Sequence, residues 1–92
     1  MTDTRGAAGN PHASQALRSV VEVIARALVD HPEAVKVTDA QRRGMTVLEL
    51  TTAPGDMGKI IGRQGRTAAA LRTLVALTAE KQGVRAQLDI RD

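Results

Sequence analysis

Lys59-Ile60-Ile61-Gly62-Arg63-Gln64-Gly65-Arg66-Thr67 sets two glycines around two polar residues, with a β-branched apolar pair before them and a helix-like run after. Glycine admits backbone angles and a closeness of approach that a side chain blocks, so a sugar-phosphate strand can lie directly on such a turn. Amides freed in the turn face phosphate oxygens. A helix starting just beyond it brings the positive end of its dipole to the same anion site, and Lys59, Arg63 and Arg66 add full charges. The layout is the one a loop needs to grip a nucleic-acid backbone.

The charge distribution points to the same place. The 92 residues carry a formal net charge of +3, which by itself says little. From Gly55 to Arg72, however, Lys59, Arg63, Arg66 and Arg72 stand against Asp56 alone, a local balance of +3, while the other nine basic and nine acidic residues cancel. The whole net charge is therefore centred on the glycine loop, as an electrostatic footprint for phosphates requires.

Composition narrows the alternatives. The length suits one small domain with one core. Cysteine is absent, which removes disulfides, thiolate metal sites and thiol nucleophiles and is compatible with a reducing compartment. Phe, Tyr and Trp are absent too, so the core is built from Leu, Ile, Val, Ala and Met, and no base can stack on an aromatic ring. No apolar run approaches a bilayer span and no apolar segment follows Arg5, so a cytoplasmic chain without membrane attachment is expected. His12 and His31 have no carboxylates at a telling metal spacing, and Ser14 and Ser19 have no histidine base at one. Neither a catalytic constellation nor a metal or other cofactor is expected.

Along the chain, residues 1–13 lack an apolar period and read as a disordered tail, leaving 14–92 as a single domain. Ser14 is a plausible N-cap for a helix to about Val29, with Leu17, Val20, Val21, Ile24 and Leu28 at steps of three and four. Asp30-His31-Pro32 stops it. Val35 and Val37 alternate with Lys36 and Thr38 as a short strand, Gln41-Arg42-Arg43-Gly44 supplies a turn, and Met45 to Thr52 reads as a second strand. Asp56 can cap a short helix through Ile60. After the loop, Thr67 to about Lys81 forms a helix with Leu71, Leu74, Val75 and Thr78 facing inward, ended by Gln82-Gly83. The last strand, Val84 to Arg91, alternates Val84, Ala86, Leu88 and Ile90 inward with charged or polar residues outward. The fold class is α+β, with helices on one face of a three-stranded sheet.

With this order established, Leu28-Val29-Asp30-His31-Pro32, Gly58 to Thr67 and Ala70-Leu71-Arg72-Thr73-Leu74 give the chain a resemblance to KH domains of the type II order. It is similar in particular to the small single-KH bacterial proteins of the KhpA family, over roughly residues 15–92. The resemblance implies the α-β-β-α-α-β fold with three helices on one sheet face. It also implies an RNA-binding function of the RNA chaperone or post-transcriptional regulator kind, with ties to cell elongation. The partners it implies are single-stranded RNA, a second copy of the chain, and a larger KH protein of the KhpB/Jag type. By the same resemblance Gly62, Arg63, Gln64 and Gly65 form the nucleic-acid loop. The third position after Gly65, often a large aliphatic residue in KH domains, is Ala68, which implies a shallow base pocket.

The expected RNA-binding set is Lys59, Ile60, Ile61, Gly62, Arg63, Gln64, Gly65, Arg66 and Arg72, with Ile60, Ile61, Ala68 and Leu71 lining or supporting an aliphatic groove. Arg72 reads equally as a solvated helix charge, and Arg42 and Arg43 as an exposed turn. Single-stranded DNA stays open, because a backbone clamp does not test for the 2′-hydroxyl. A different reading makes the chain an interaction subunit. On the last helix Ala69, Thr73, Ala76 and Leu77 form a second, mostly apolar stripe that a partner helix can cover, against the plainer alternative that the alanines are there as good helix formers.

Overall fold

The computed structural model describes residues 11–91. Helix α1 spans Pro11–Leu28, followed by a 3₁₀ turn at Pro32–Ala34, strands β1 (Lys36–Arg42) and β2 (Met45–Thr51), helix α2 (Met57–Ile61), a 3₁₀ turn at Arg63–Gly65, helix α3 (Arg66–Gln82) and strand β3 (Arg85–Arg91). This is the expected α-β-β-α-α-β order.

Helix α1 already includes Pro11, the first described residue. Ser14 therefore lies buried within the helix rather than capping it. Residues 11–13 are thus helical, and the rest of the segment read as a tail lies outside the described residues. Ala13, Leu17, Val21 and Ala25, four apart, make the buried stripe. Leu28 is exposed, and Val29, just past the helix end, enters the core in its place.

The sheet order is β1-β2-β3, with β2 antiparallel to β1 and parallel to β3. The β1–β2 hairpin closes through Arg43 and Gly44, both at positive φ (52° and 78°), so Gln41 and Arg42 belong to the strand and the turn has only two residues. Such turns follow the strand twist but normally take Asn, Asp or Gly at the first position, and an arginine there costs roughly 1–2 kcal/mol. The crossover from β2 to the parallel β3 runs through α2 and α3.

Alternation assigns the two sheet faces. Val37, Leu48, Leu50 and Leu88 share one face and are buried with Leu17, Val21, Leu71 and Val75 of the helices, each large side chain contributing roughly 1.5–3 kcal/mol. Lys36, Thr38 and Arg85 stand on the opposite, helix-free face. Ile60 of α2 is fully buried in the same core. In α3 the buried line is Ala68, Leu71, Val75 and Ala79. Leu74, expected inward, is 42 % exposed, and Thr78 is only half-buried. The contact line passes through the alanines because their small side chains let the helix lie close. Gly83, left-handed at φ 75°, ends α3 as expected; its N–H bonds the Glu80 carbonyl while Val84 N–H bonds that of Ala79.

Candidate nucleic-acid interface

The glycine loop joins α2 to α3 by a backbone path that depends on both glycines. Gly62 sits at φ 76°, ψ 172°, a conformation essentially reserved for glycine. A Cβ there would lie 2.6 Å from Thr67 Cβ and closer still to Thr67 Oγ1, so Thr67 occupies the space a side chain would need. Gly65 is left-handed, φ 74° and ψ 12°, with nothing within 4 Å of a would-be Cβ. Gly62 N–H is held by the Gly58 carbonyl at 2.9 Å and Gly65 N–H by the Gly62 carbonyl at 3.1 Å. As the first residues of a 3₁₀ turn, Arg63 and Gln64 have no acceptor for their N–H groups within it. Gln64 is itself left-handed, φ 58°, and both side chains are exposed.

Helix α3 then starts at Arg66 with no acidic residue in its first turn, so the positive end of its dipole is not neutralised beside the loop. Arg63 and Arg66 are exposed and have no ion-pair partner among the described residues. Lys59 differs: its Nζ lies 3.3 Å from a carboxylate oxygen of Asp30, so part of its charge is already matched.

Four of the expected contact or groove residues are engaged within the fold. Ile60 has no exposed surface and anchors α2 to the core, so it supports the loop and offers nothing to a ligand. Ala68 and Leu71 are likewise buried. Arg72 Nε donates to the Leu88 carbonyl of β3 at 3.4 Å, while the side chain as a whole is exposed. Ile61, 37 % exposed beside Gly62, remains as apolar surface next to the cations.

An anchor not apparent in the sequence holds the base of the loop. Asp56 does not cap α2 with its side chain. Its carboxylate is buried and accepts hydrogen bonds from His31 N–H at 2.9 Å and His31 Nδ1 at 3.1 Å, tying the α1–β1 connection to the start of α2. Burial pushes the pKa of Asp56 up, but bonds from the His31 backbone and ring and the Asp30 backbone outweigh that and hold it below the usual 3.8. The partners lie 25 residues apart, and no spacing rule links them.

The family model of the KhpA/KhpB KH domain matches residues 18–90. The chain belongs to this KH family. Similar proteins include the RNA-binding protein KhpA of Halalkalibacterium halodurans, 50 % identical over 76 residues that cover 83 % of this chain and all of that protein. The RNA-binding protein KhpA of Treponema pallidum is 45 % identical over 79 % of this chain and 91 % of its own length. That of Aquifex aeolicus is 43 % identical over 82 % and 95 %. In KH terms, Gly62-Arg63-Gln64-Gly65 is the GXXG loop of this domain.

No group of three or more histidines and carboxylates among the described residues is placed to hold a metal ion. No described helix is long and apolar enough to cross a membrane.

Proposed function

We propose that the chain binds single-stranded RNA, laying the backbone of about four nucleotides across Gly62–Gly65 with bases against Ile61. The carrying observation is the glycine geometry of the loop: Gly62 packs against Thr67 where no side chain fits, Gly65 leaves open space where a Cβ would stand, and the exposed Arg63 and Arg66 have no ion-pair partner among the described residues. The names of the KH relatives, RNA-binding protein KhpA, support the same ligand. With no aromatic platform, the grip is weak and salt-sensitive, as suits a cytoplasmic RNA chaperone or post-transcriptional regulator rather than an enzyme. Replacing Arg63 and Gln64 together by Asp tests it. Both side chains are exposed, so circular dichroism should show an intact fold and a gel shift should show RNA binding lost. Undiminished affinity in a folded double variant would sink the loop assignment.

A second role in the same proposal is pairing. Ala69, Thr73, Ala76 and Leu77 are all exposed, Leu77 by 56 %, and Leu74 joins them. This stripe on α3 suits a second copy of the chain or a KH protein of the KhpB/Jag type.

A further inference from the structure

Ion pairing divides the described cations into two groups. Arg18, Arg26, Lys59 and Arg91 each lie against a carboxylate, those of Asp39, Glu22, Asp30 and Glu49. Among the described residues Lys36, Arg72 and Lys81 have no such partner, nor do Arg63 and Arg66 at the loop, nor Arg42, Arg43 and Arg85. The last three are gathered by the sheet. In the strand register Arg42 faces Met45, and Met45 faces Arg85, so the two arginines flank one methionine across three strands, about 10 Å apart by two strand spacings. Arg43 is the next residue, at the hairpin tip, and all three arginines are exposed.

This cluster is at the far end of the molecule from the loop. Helix α3 starts at the loop and runs 17 residues, about 26 Å, before Gly83-Val84 delivers the chain to Arg85. Lys81 in its last turn stands at the same end. Beside the arginines is an open concavity of about 400 Å³ with an aliphatic floor of Met45, Ala79, Val84 and Ala86, and with Glu80 on its wall. Arg43 keeps a left-handed backbone that Asn or Gly would adopt at less cost, so a cation is held at the tip against local preference.

We infer that the hairpin end of the sheet is a second phosphate-binding surface, where Arg42, Arg43 and Arg85 hold the backbone of an RNA strand whose other segment lies on the Gly62–Gly65 loop. This rests on the RNA-binding reading above. Arginines without ion-pair partners among the described residues, one of which, Arg85, lines an aliphatic hollow, repeat without glycines the combination of charge and apolar surface found at the loop. A strand filling only the loop does not reach them; one long enough to span about 26 Å and reach the helix-free face of the sheet at its hairpin end does.

The test compares two unstructured RNAs of like composition, one of about five nucleotides, enough for the loop alone, and one of about twenty. The variant R42Q/R43N/R85Q removes the cluster, with Asn chosen because it suits the turn. A double variant, R26Q/K36Q, lowers the charge elsewhere. The unsubstituted chain should bind both RNAs. The triple variant should bind the short RNA unchanged and the long one roughly tenfold or more weakly, with the slope of log K against log salt shallower by about 2, three contacts at about 0.7 each. The control should leave that slope within a fraction of a contact. Long-RNA binding that is unchanged in the triple variant, or a loss equal for both RNAs, overturns the second surface while leaving the loop reading intact. A shift in oligomeric mass would make the cluster a protein interface and overturn it as well. If the unsubstituted chain binds neither RNA, the loop reading fails first and this inference with it.

Discussion

At the scale of single residues, the two loop glycines are not equivalent. Gly62 combines a glycine-only conformation with a neighbour, Thr67, already in the space of a Cβ, whereas Gly65 has only its left-handed φ and open space around it. Gly65→Ala should therefore cost roughly 1–2 kcal/mol of stability, and Gly62→Ala clearly more, with RNA binding lost in the latter. Urea unfolding of both variants checks the order, and equal destabilisation would contradict it. Lys59 offers a contrasting case, a cation drawn aside by Asp30. With Arg63 and Arg66 as the free contacts, a short RNA should give a salt slope of about −1.4, at about 0.7 per contact on single strands. Asp30→Asn releases Lys59, so affinity should rise and the slope steepen to about −2.1. An unchanged slope would show that Lys59 does not reach the phosphates.

At the scale of elements, the strands were the most legible part of the sequence, and the helix contacts the least. Strict alternation in Val84 to Arg91 reports directly which side chains meet the core, because a strand has only two faces; in β2, Thr46, Leu48 and Leu50 follow it, while Val47 is buried on the other face. A helix has a continuous circumference, and in α3 the leucines drew the predicted face toward Leu74, whereas Ala68 and Ala79 mark the true contact line. Alanines carry little hydrophobic weight in a pattern yet decide how near a helix can lie. The Asp56–His31 clamp had no signal at all, since it joins a loop and a helix start through one buried carboxylate. Its pKa is lowered in the folded state, so its stabilisation is present above the ordinary value of 3.8 and is lost as pH falls below it. Asp56→Asn should be less stable than the parent at neutral pH, and the gap between them should narrow as the solution is acidified below about pH 4. Thermal unfolding across that range measures it; a gap independent of pH would show that the carboxylate charge contributes nothing.

At the scale of the whole molecule, one small core without rings supports a sheet with one covered and one open face, and α3 is apolar on two sides. Its inner line is buried, and its outer line of Ala69, Thr73, Leu74, Ala76 and Leu77 is not. Correcting Leu74 from core to surface strengthens the outer stripe, because two leucines now stand one turn apart among small residues that let another helix approach closely. Single exposed apolar residues are ordinary on protein surfaces; a row of them along one helix is a surface suited to a partner. At tens of micromolar, light scattering should report about twice the chain mass of 9.7 kDa. Leu77→Glu should return it to the monomer mass without loss of helix content, since that side chain takes no part in the core. Leu74→Glu should do the same, a result that the inward placement of Leu74 would not allow, as a buried glutamate would unfold the chain instead. A monomeric mass for the unsubstituted chain would remove self-pairing and leave a second KH protein as the partner for α3.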